Sequence, residues 1–428
     1  MNVDELTRIK EFRQIRKEVR GSKKYLLVGI DVAKEKHRAF YGTATGKTLL
    51  RRLIFENCIN GIERLMDVAN VMKTEHSLDK IVYGLEPTAN YHKPIAEYLI
   101  KCGCNVVIVS GLAVTRNREL LDGRWDKNDN KDPANIADLI SQGKCQYYDY
   151  PPVEMRDLRN LVSLKRRMKK QEHGIKVRIR NNLIAQYFPE FDSHFARGCL
   201  ESLAIVKWCI KPREISFMEY EEFEQLVAPR IRTISQANRL KSIWEDAIES
   251  IGCEAGKNIQ FEARLMIENL EYMKKCIKAI DDKIMAICTE YPEYNYILSI
   301  PGFGPDVSSK VLGAIGNPFR FDNGQQVLKL AGLDLNASRS GKTSDNAVPV
   351  ISKRGKAHLR YALYQAALIA STRNKYFKLY YTSKLRSRER ERGIKIKMKV
   401  KLAAKMLIIA WTLMKKKEPF DPEYLNID

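Results

Sequence analysis

The sequence has no apolar run long enough to cross a bilayer. Its longest late run, residues 406–414, covers nine residues, against the roughly 20 that a membrane helix needs. The charged opening D-E-L-T-R-I-K-E-F-R contains no secretory core. Membrane and export classes are excluded on this reading, and the expectation is a soluble, cytoplasmic chain. Paired cysteines are missing as well. The nine cysteines (58, 102, 104, 145, 199, 209, 253, 276, 288) are scattered, and the C-x-C at Cys102 and Cys104 has no second pair at zinc-like spacing. That pattern excludes a disulfide framework and predicts reduced, mostly buried thiols. Acids are in short supply: 52 Asp and Glu stand against 74 Lys and Arg, a net charge of +22. Such a surplus favours a polyanionic partner, because each phosphate neutralised releases condensed counterions.

What is present suffices for real cores. A chain of 428 residues, 44% of them hydrophobic, points to two or three domains. Residues 1–22 read as a basic N-terminal extension. Domain 23–150 opens with Y-L-L-V-G-I-D, an apolar run ending in an acid, which suits a buried strand. R-A-F-Y-G and L-L-R-R-L-I-F follow as strands across the turn T-A-T-G-K. Then come a helix over 61–72, strand I-V-Y-G-L-E, a helix over 91–101, strand N-V-V-I-V-S and a helix after Asp132. Three strands, then alternating helix and strand, predict an α/β domain with an RNase H-like mixed sheet. Pro151 and Pro152 introduce a basic helical and coiled-coil region, 151–290, with ten Lys/Arg against three acids over 154–180. Ile259, Ala263, Met266, Leu270, Met273, Ile277, Ile280, Ile284 and Ile287 recur at spacings of 4 and 3, a heptad seam. It either pairs protomers or packs as one arm of a hairpin on the 154–185 helix. A mostly helical C-terminal part follows, as a module over 291–375 and a basic helical tail over 376–428. Sixteen Lys/Arg and two Glu crowd 373–417.

Four acids carry the chemistry. Asp31 ends the first strand and Glu86 ends a neighbouring one. Asp129 and Asp132, in N-D-N-K-D-P-A, stand at i and i+3, which puts both on one face once a helix starts. Asp132 reads as the N-cap, with Pro133 in the first turn where its missing N–H costs nothing. Asp122, Asp126 and Asp138 lack comparable placement. Few, well-placed carboxylates suit Mg²⁺, with Mn²⁺ as substitute. Two such ions about 4 Å apart hold the attacking and leaving oxygens of an in-line displacement.

Residues 299–317, S-I-P-G-F-G-P-D-V-S-S-K-V-L-G-A-I-G-N, read as a helix-hairpin-helix. Its turn at Pro301, Gly302 and Gly304 offers backbone N–H groups to an anion. Beyond it, Ser338 and Ser340 sit in a small polar loop among Arg339, Lys342, Lys353, Arg354 and Arg360. No His or Asp nearby makes an evident triad to activate a hydroxyl, so the residues alone leave these as loop serines. The expected nucleic-acid contacts are Lys165, Arg166, Arg167, Lys169, Lys170, Gly302, Gly304, Lys342, Lys353 and Arg354.

G-I-D-V-A-K, G-L-E-P-T-A-N-Y, N-D-N-K-D-P and I-S-K-R-G-K-A-H-L-R, with the heptad segment before the last, resemble the DEDD-type transposases of the insertion sequence 110 family. Those proteins look like RuvC resolvase in their N-terminal half. The resemblance covers 24–150 and 259–372. It implies a RuvC-like catalytic domain whose metal ligands are Asp31, Glu86, Asp129 and Asp132. It also implies a C-terminal transposase domain in which Ser340, followed by Gly341, is the nucleophile and Ser338 the competitor. Asn128 stands where the family has Thr, and a single Gly341 where a pair is usual. The implied activity is Mg²⁺-dependent cleavage and rejoining of donor and target DNA, guided by a structured non-coding bridge RNA. A homo-oligomer, dimer or tetramer, is implied, with one protomer's acids meeting another's serine; the location would be nucleoid-associated. A RuvC-like junction endonuclease and a non-catalytic nucleic-acid scaffold are the alternatives.

Overall fold

The computed structural model describes residues 5–122, 131–195, 200–228, 230, 233–336 and 350–425. The chain forms two compact units, Met1–Pro152 with Phe319–Asp322, and Val153–Pro318 with Asn323–Asp428.

The first unit contains, in order, α1 (Glu5–Glu18), β1 (Tyr25–Asp31), β2 (Lys36–Thr43), β3 (Thr48–Glu56), α2 (Ile59–Glu75) and β4 (Lys80–Leu85). It continues with α3 (His92–Lys101), β5 (Asn105–Ile108), α4 (Gly111–Asp122), α5 (Lys131–Ser141) and β6 (Gln146–Tyr147). One sheet runs in the order β3-β2-β1-β4-β5-β6. β1, β4 and β5 are parallel neighbours, while β2 and β6 run antiparallel to theirs. This mixed sheet is consistent with the RNase H-like arrangement that the strand pattern predicts.

β1 is apolar throughout before Asp31 because helices cover both faces of the sheet. Leu26, Val28 and Ile30 pack with Leu65 of α2 and Ile95 and Leu99 of α3. Tyr25 and Leu27 pack on the other face with Ile136 and Ile140 of α5, Ile15 of α1 and Val19 just beyond it. The stretch 1–22, read as an extension, thus supplies core residues. On that second face Gly29 and Gly84 are register partners in β1 and β4. A Cβ on Gly29 would lie 1.9 Å from the Pro133 carbonyl oxygen, and one on Gly84 would lie 2.2 Å from Ile140 Cδ1. The α5 backbone therefore rests directly on β1 and its isoleucine side chains on β4, the close approach that a glycine inside a strand permits.

Three expectations need correction. α4 and the short β6 were not foreseen; α4 carries a mixed, polar stretch and packs against α5. Asp132 is not the N-cap, since α5 starts at Lys131 and Asp132 lies in its first turn. The described cysteines are free, but only Cys145, Cys209 and Cys288 are buried. Cys58 and Cys102 are exposed because they cap α2 and α3.

The second unit begins with α6 (Val153–Arg178), followed by short helices, α7 (Leu200–Trp208), α8 (Ile234–Ile248) and α9 (Ile259–Thr289). Next come α10 (Pro292–Leu298), α11 (Pro305–Ile315), α12 (Gly324–Ala331), β7 (Leu335–Asn336) and β8 (Val350–Ile351). α13 (Ala357–Arg373), α14 (Lys375–Leu385) and α15 (Ile394–Lys416) complete it. α9 lies against α6 and α7 and buries Ala263, Ile267, Leu270, Ile277, Ile280 and Ile284. Its seam is filled by its own chain, the hairpin-arm alternative. Ile267 takes the inner place expected for Met266, because a straight helix drifts off a strict heptad. α10 and α11 pack together across the turn at Gly302, where the helix-hairpin-helix is expected. β7 and β8 pair Leu335 with Ile351 and Asn336 with Val350. Ser338, Ser340, Gly341 and Lys342, between these strands, lie outside the described residues. Among the described residues no helix is long and apolar enough to cross a membrane.

The close approach of α5 is testable by chemical denaturation of the full chain. Gly29→Ala is expected to cost about 1–3 kcal/mol, as overpacking does. Gly174→Ala, inside α6 with open space around a Cβ, is expected to be neutral or stabilising by up to about 1 kcal/mol. Equal effects would refute the approach.

Candidate active site

Asp31 is the last residue of β1, two beyond Gly29 and so on the face that α5 covers. Ile30 and Leu85 are register partners, and Glu86 follows Leu85 on the alternation of Val82 and Gly84. Two half-buried carboxylates therefore leave neighbouring parallel strands at one level, where strands stand about 4.8 Å apart. Ligands of open α/β sheets bind outside such carboxyl ends. Pro133, held on Gly29, brings the preceding Asp132 to the same face, where it is 4% exposed. The sheet thus sets Asp31 and Glu86 at one level, and α5 carries the buried Asp132 next to the Pro133 that rests on Gly29; Asp129 lies outside the described residues.

Supporting contacts fix this face. A Cβ on Gly111, the first residue of α4, would lie 2.5 Å from Glu86 Oε1, so the carboxylate rests where only glycine leaves room. Arg38 of β2 stands opposite Asp31 in register. The turn between them is held by His37, buried against Phe55, whose Nδ1 accepts the Ala33 N–H at 3.2 Å. Burial lowers its pKa from the usual 6.5, so the ring stays neutral and able to accept. α4 is tied to α5 by buried polar groups. Asn117 Nδ2 donates to Asn135 Oδ1 at 3.3 Å and to Asp138 Oδ2 at 2.8 Å. Gln142 Nε2 donates to the same Asp138 oxygen at 2.8 Å. Asp138 is accordingly a structural acceptor. Gly29 and Gly84 were legible as lone glycines in strand runs; Gly111, Asn117 and Asn135 carry no sequence signal of their own.

Among the described residues no group of three or more His, Cys, Asp or Glu side chains stands close enough to hold a metal ion. The three acids of this face nevertheless present only oxygen donors, the set a hard divalent cation prefers, and the fourth acid is not among those described.

In the second unit the expected nucleic-acid residues divide. Lys165 is no open cation: its ammonium bridges Asp281 at 2.6 Å and Asp306, tying α6 to α9 and α11. Lys169 and Lys176 share Glu172, at 2.9 and 2.8 Å. Arg166, Arg167 and Lys170 are exposed on α6, and Lys353 and Arg354 before α13. Gly302, with φ +91°, faces α13; a Cβ there would lie 2.7 Å from Ala366 O. It serves packing, while Gly304 caps α11 with open space around it.

Residues 28–189 match the DEDD model for IS110 proteins, described as Transposase, and residues 294–382 match the Transposase IS116/IS110/IS902 family. The chain belongs to the IS110 family of transposases. No curated protein matches it. The first match holds the acidic face and the second the helix-hairpin-helix, both strands around the serine segment, and α13. The protein is a DNA transposase, of a DEDD class that is typically metal-dependent.

Gly111 sets the place of Glu86, so the Gly111→Ala transposase is expected to bind Mn²⁺ about tenfold or more weakly, the cost of disturbing a ligand's support. Electron paramagnetic resonance of free Mn²⁺ reads this alongside a thermal melt. Unchanged Mn²⁺ affinity would show that Gly111 does not position the carboxylate.

Proposed function

We propose that this transposase cuts and rejoins DNA at Asp31, Glu86, Asp129 and Asp132, with Ser340 as nucleophile. The observation that supports this best is that Asp31 and Glu86 leave the paired strands β1 and β4 at one level, with the buried Asp132 preceding the Pro133 that rests on Gly29. These acids would hold Mg²⁺, or Mn²⁺ in its place. When bound, the metal supplies Lewis-acid stabilisation of charge developing on the scissile phosphate. Asp31 and Glu86 act from rigid strand ends, and Asp132 from a helix fixed by Gly29 and Gly84. Ser340 Oγ bonds to phosphorus as the bond to the leaving oxygen breaks; the hydroxyl gives its proton to water and the departing oxygen takes one up as a free hydroxyl. The phosphoserine then retains the ester for rejoining. Ser340 is preferred to Ser338 because Gly341 follows it, as in the family motif.

Arg166, Arg167, Lys170, Lys353 and Arg354, with Lys342, would hold the backbones of DNA and of a structured bridge RNA. Base pairing by that RNA would read donor and target, in keeping with a strongly basic chain that carries no obvious base-reading motif. Phe261, Leu265 and Tyr272, all exposed on one side of α9, support self-association as dimer or tetramer.

Incubation with labelled element-end DNA, the RNA and Mg²⁺ tests the reading on a denaturing gel. Wild type should give a protein–DNA adduct that Ser340→Ala abolishes. Asp31→Asn and Glu86→Gln should lower cleavage about a hundredfold or more, beyond what outer-shell changes cost. Cleavage without an adduct would replace the serine by water, as in a junction endonuclease. Undiminished cleavage in both acid variants would overturn the proposal.

A further inference from the structure

Three cations from α6, α11 and the start of α13, Arg166, Lys310 and Lys356, all act electrostatically on His358, and only Arg166 of these four was expected from sequence. α11 packs against both α6 and α13. Lys165 of α6 is tied to Asp306 in the first turn of α11, and Lys310, one turn on, pairs with the same carboxylate. This fixes Arg166, the neighbour of Lys165, beside that end of α11. From α13 come Lys356 at the N-cap and His358 in the first turn, which holds no acid.

The strand leading into α13 is rigidly held. Lys353 N donates to Gly332 O at 3.0 Å and Lys356 N to Leu330 O at 2.8 Å. Gly355 is so close to α12 that a Cβ would lie 2.4 Å from Gly332 N. Arg360 Nη1 donates to Ala331 O at 2.7 Å, closing the corner. Backbone ordering of this kind pre-organises cations, and less entropy is lost when a ligand arrives.

We propose that Arg166, Lys310, Lys356 and His358 form a cradle for one phosphodiester group of a nucleic-acid backbone. The inference rests on the reading of the chain as a nucleic-acid-handling transposase and adds a site to it. The charges acting on the His358 ring are Lys356, Arg166 and Lys310, all positive. Together with burial, which contributes most, they lower its pKa from 6.5. An anion seated among them reverses that influence and favours the imidazolium, so binding takes up a proton. The sign follows: affinity is highest below the free ring's lowered pKa and falls as pH rises through the bound ring's higher one. The ligand chemistry is shared by DNA and RNA, and the two are separated by experiment.

Binding of the full chain to a labelled DNA duplex and, in parallel, to a labelled RNA hairpin is measured against salt and pH. Arg166→Gln, an exposed position, should lower the log–log salt slope by about one, the loss of one phosphate contact. His358→Gln should flatten the gain in affinity that wild type shows as pH falls below neutrality. A change with only one of the two probes identifies the strand that occupies the cradle. Unchanged slopes and pH profiles in both variants, with wild type still binding, would overturn the cradle alone. Failure of wild type to bind either probe would count against the transposase mechanism itself.

Discussion

The contact of α5 with the β1–β4 pair fixes the acidic face, and it depends on two missing side chains. Gly29 and Gly84 lie side by side in register; the helix backbone occupies the space of a Cβ at Gly29, and the Ile140 and Ile136 side chains occupy it at Gly84. Any larger residue lifts α5 from the sheet and takes Asp132 with it. Asp31 and Glu86 need no such device, since strand pairing alone sets them at one level. The site thus combines two acids placed by hydrogen-bond register with one placed by steric contact. Glu86 adds a further dependence, because its carboxylate rests against the bare Cα of Gly111.

The positive charge is not spread evenly in function. Lys165 joins α6 to α9 and α11 through two carboxylates, while Lys169 and Lys176 pair with Glu172 within α6 and Lys310 with Asp306 within α11. Exposed ion pairs contribute little individually, but Lys165, with a largely buried side chain and two acids, joins three helices. The cations facing outward on α6 and before α13, with Lys310 beside them on α11, are the ones proposed to meet phosphate. Composition alone could not separate these classes, for the basic run over 154–180 looks uniform in sequence.

Much of the first unit was legible. An apolar run ending in an acid marks a central strand whatever its surroundings, and β1 and β4 both carry that mark. The helix α4 was not, because G-L-A-V-T-R-N-R-E-L-L-D has little apolar period and owes its place to packing against α5. Asp132 moved from cap to first turn, because the helix starts at Lys131 rather than Pro133, a shift of two residues that local propensity does not resolve. In α9 the seam was clear but its partner was not, since the same heptads suit a second protomer or the chain's own α6. His358 illustrates a deeper limit: besides the nearby Lys356, the charges acting on it come from α6 and α11, and nothing near it in sequence announces those.

Anomalous diffraction from crystals equilibrated with Mn²⁺ tests the central claim most directly. The account predicts a peak on the α5 face of the sheet, with oxygens of Asp31, Glu86 and Asp132 at coordinating distances of about 2.1 Å. Mn²⁺ bound elsewhere, with these three carboxylates uncoordinated at saturating concentration, would contradict it.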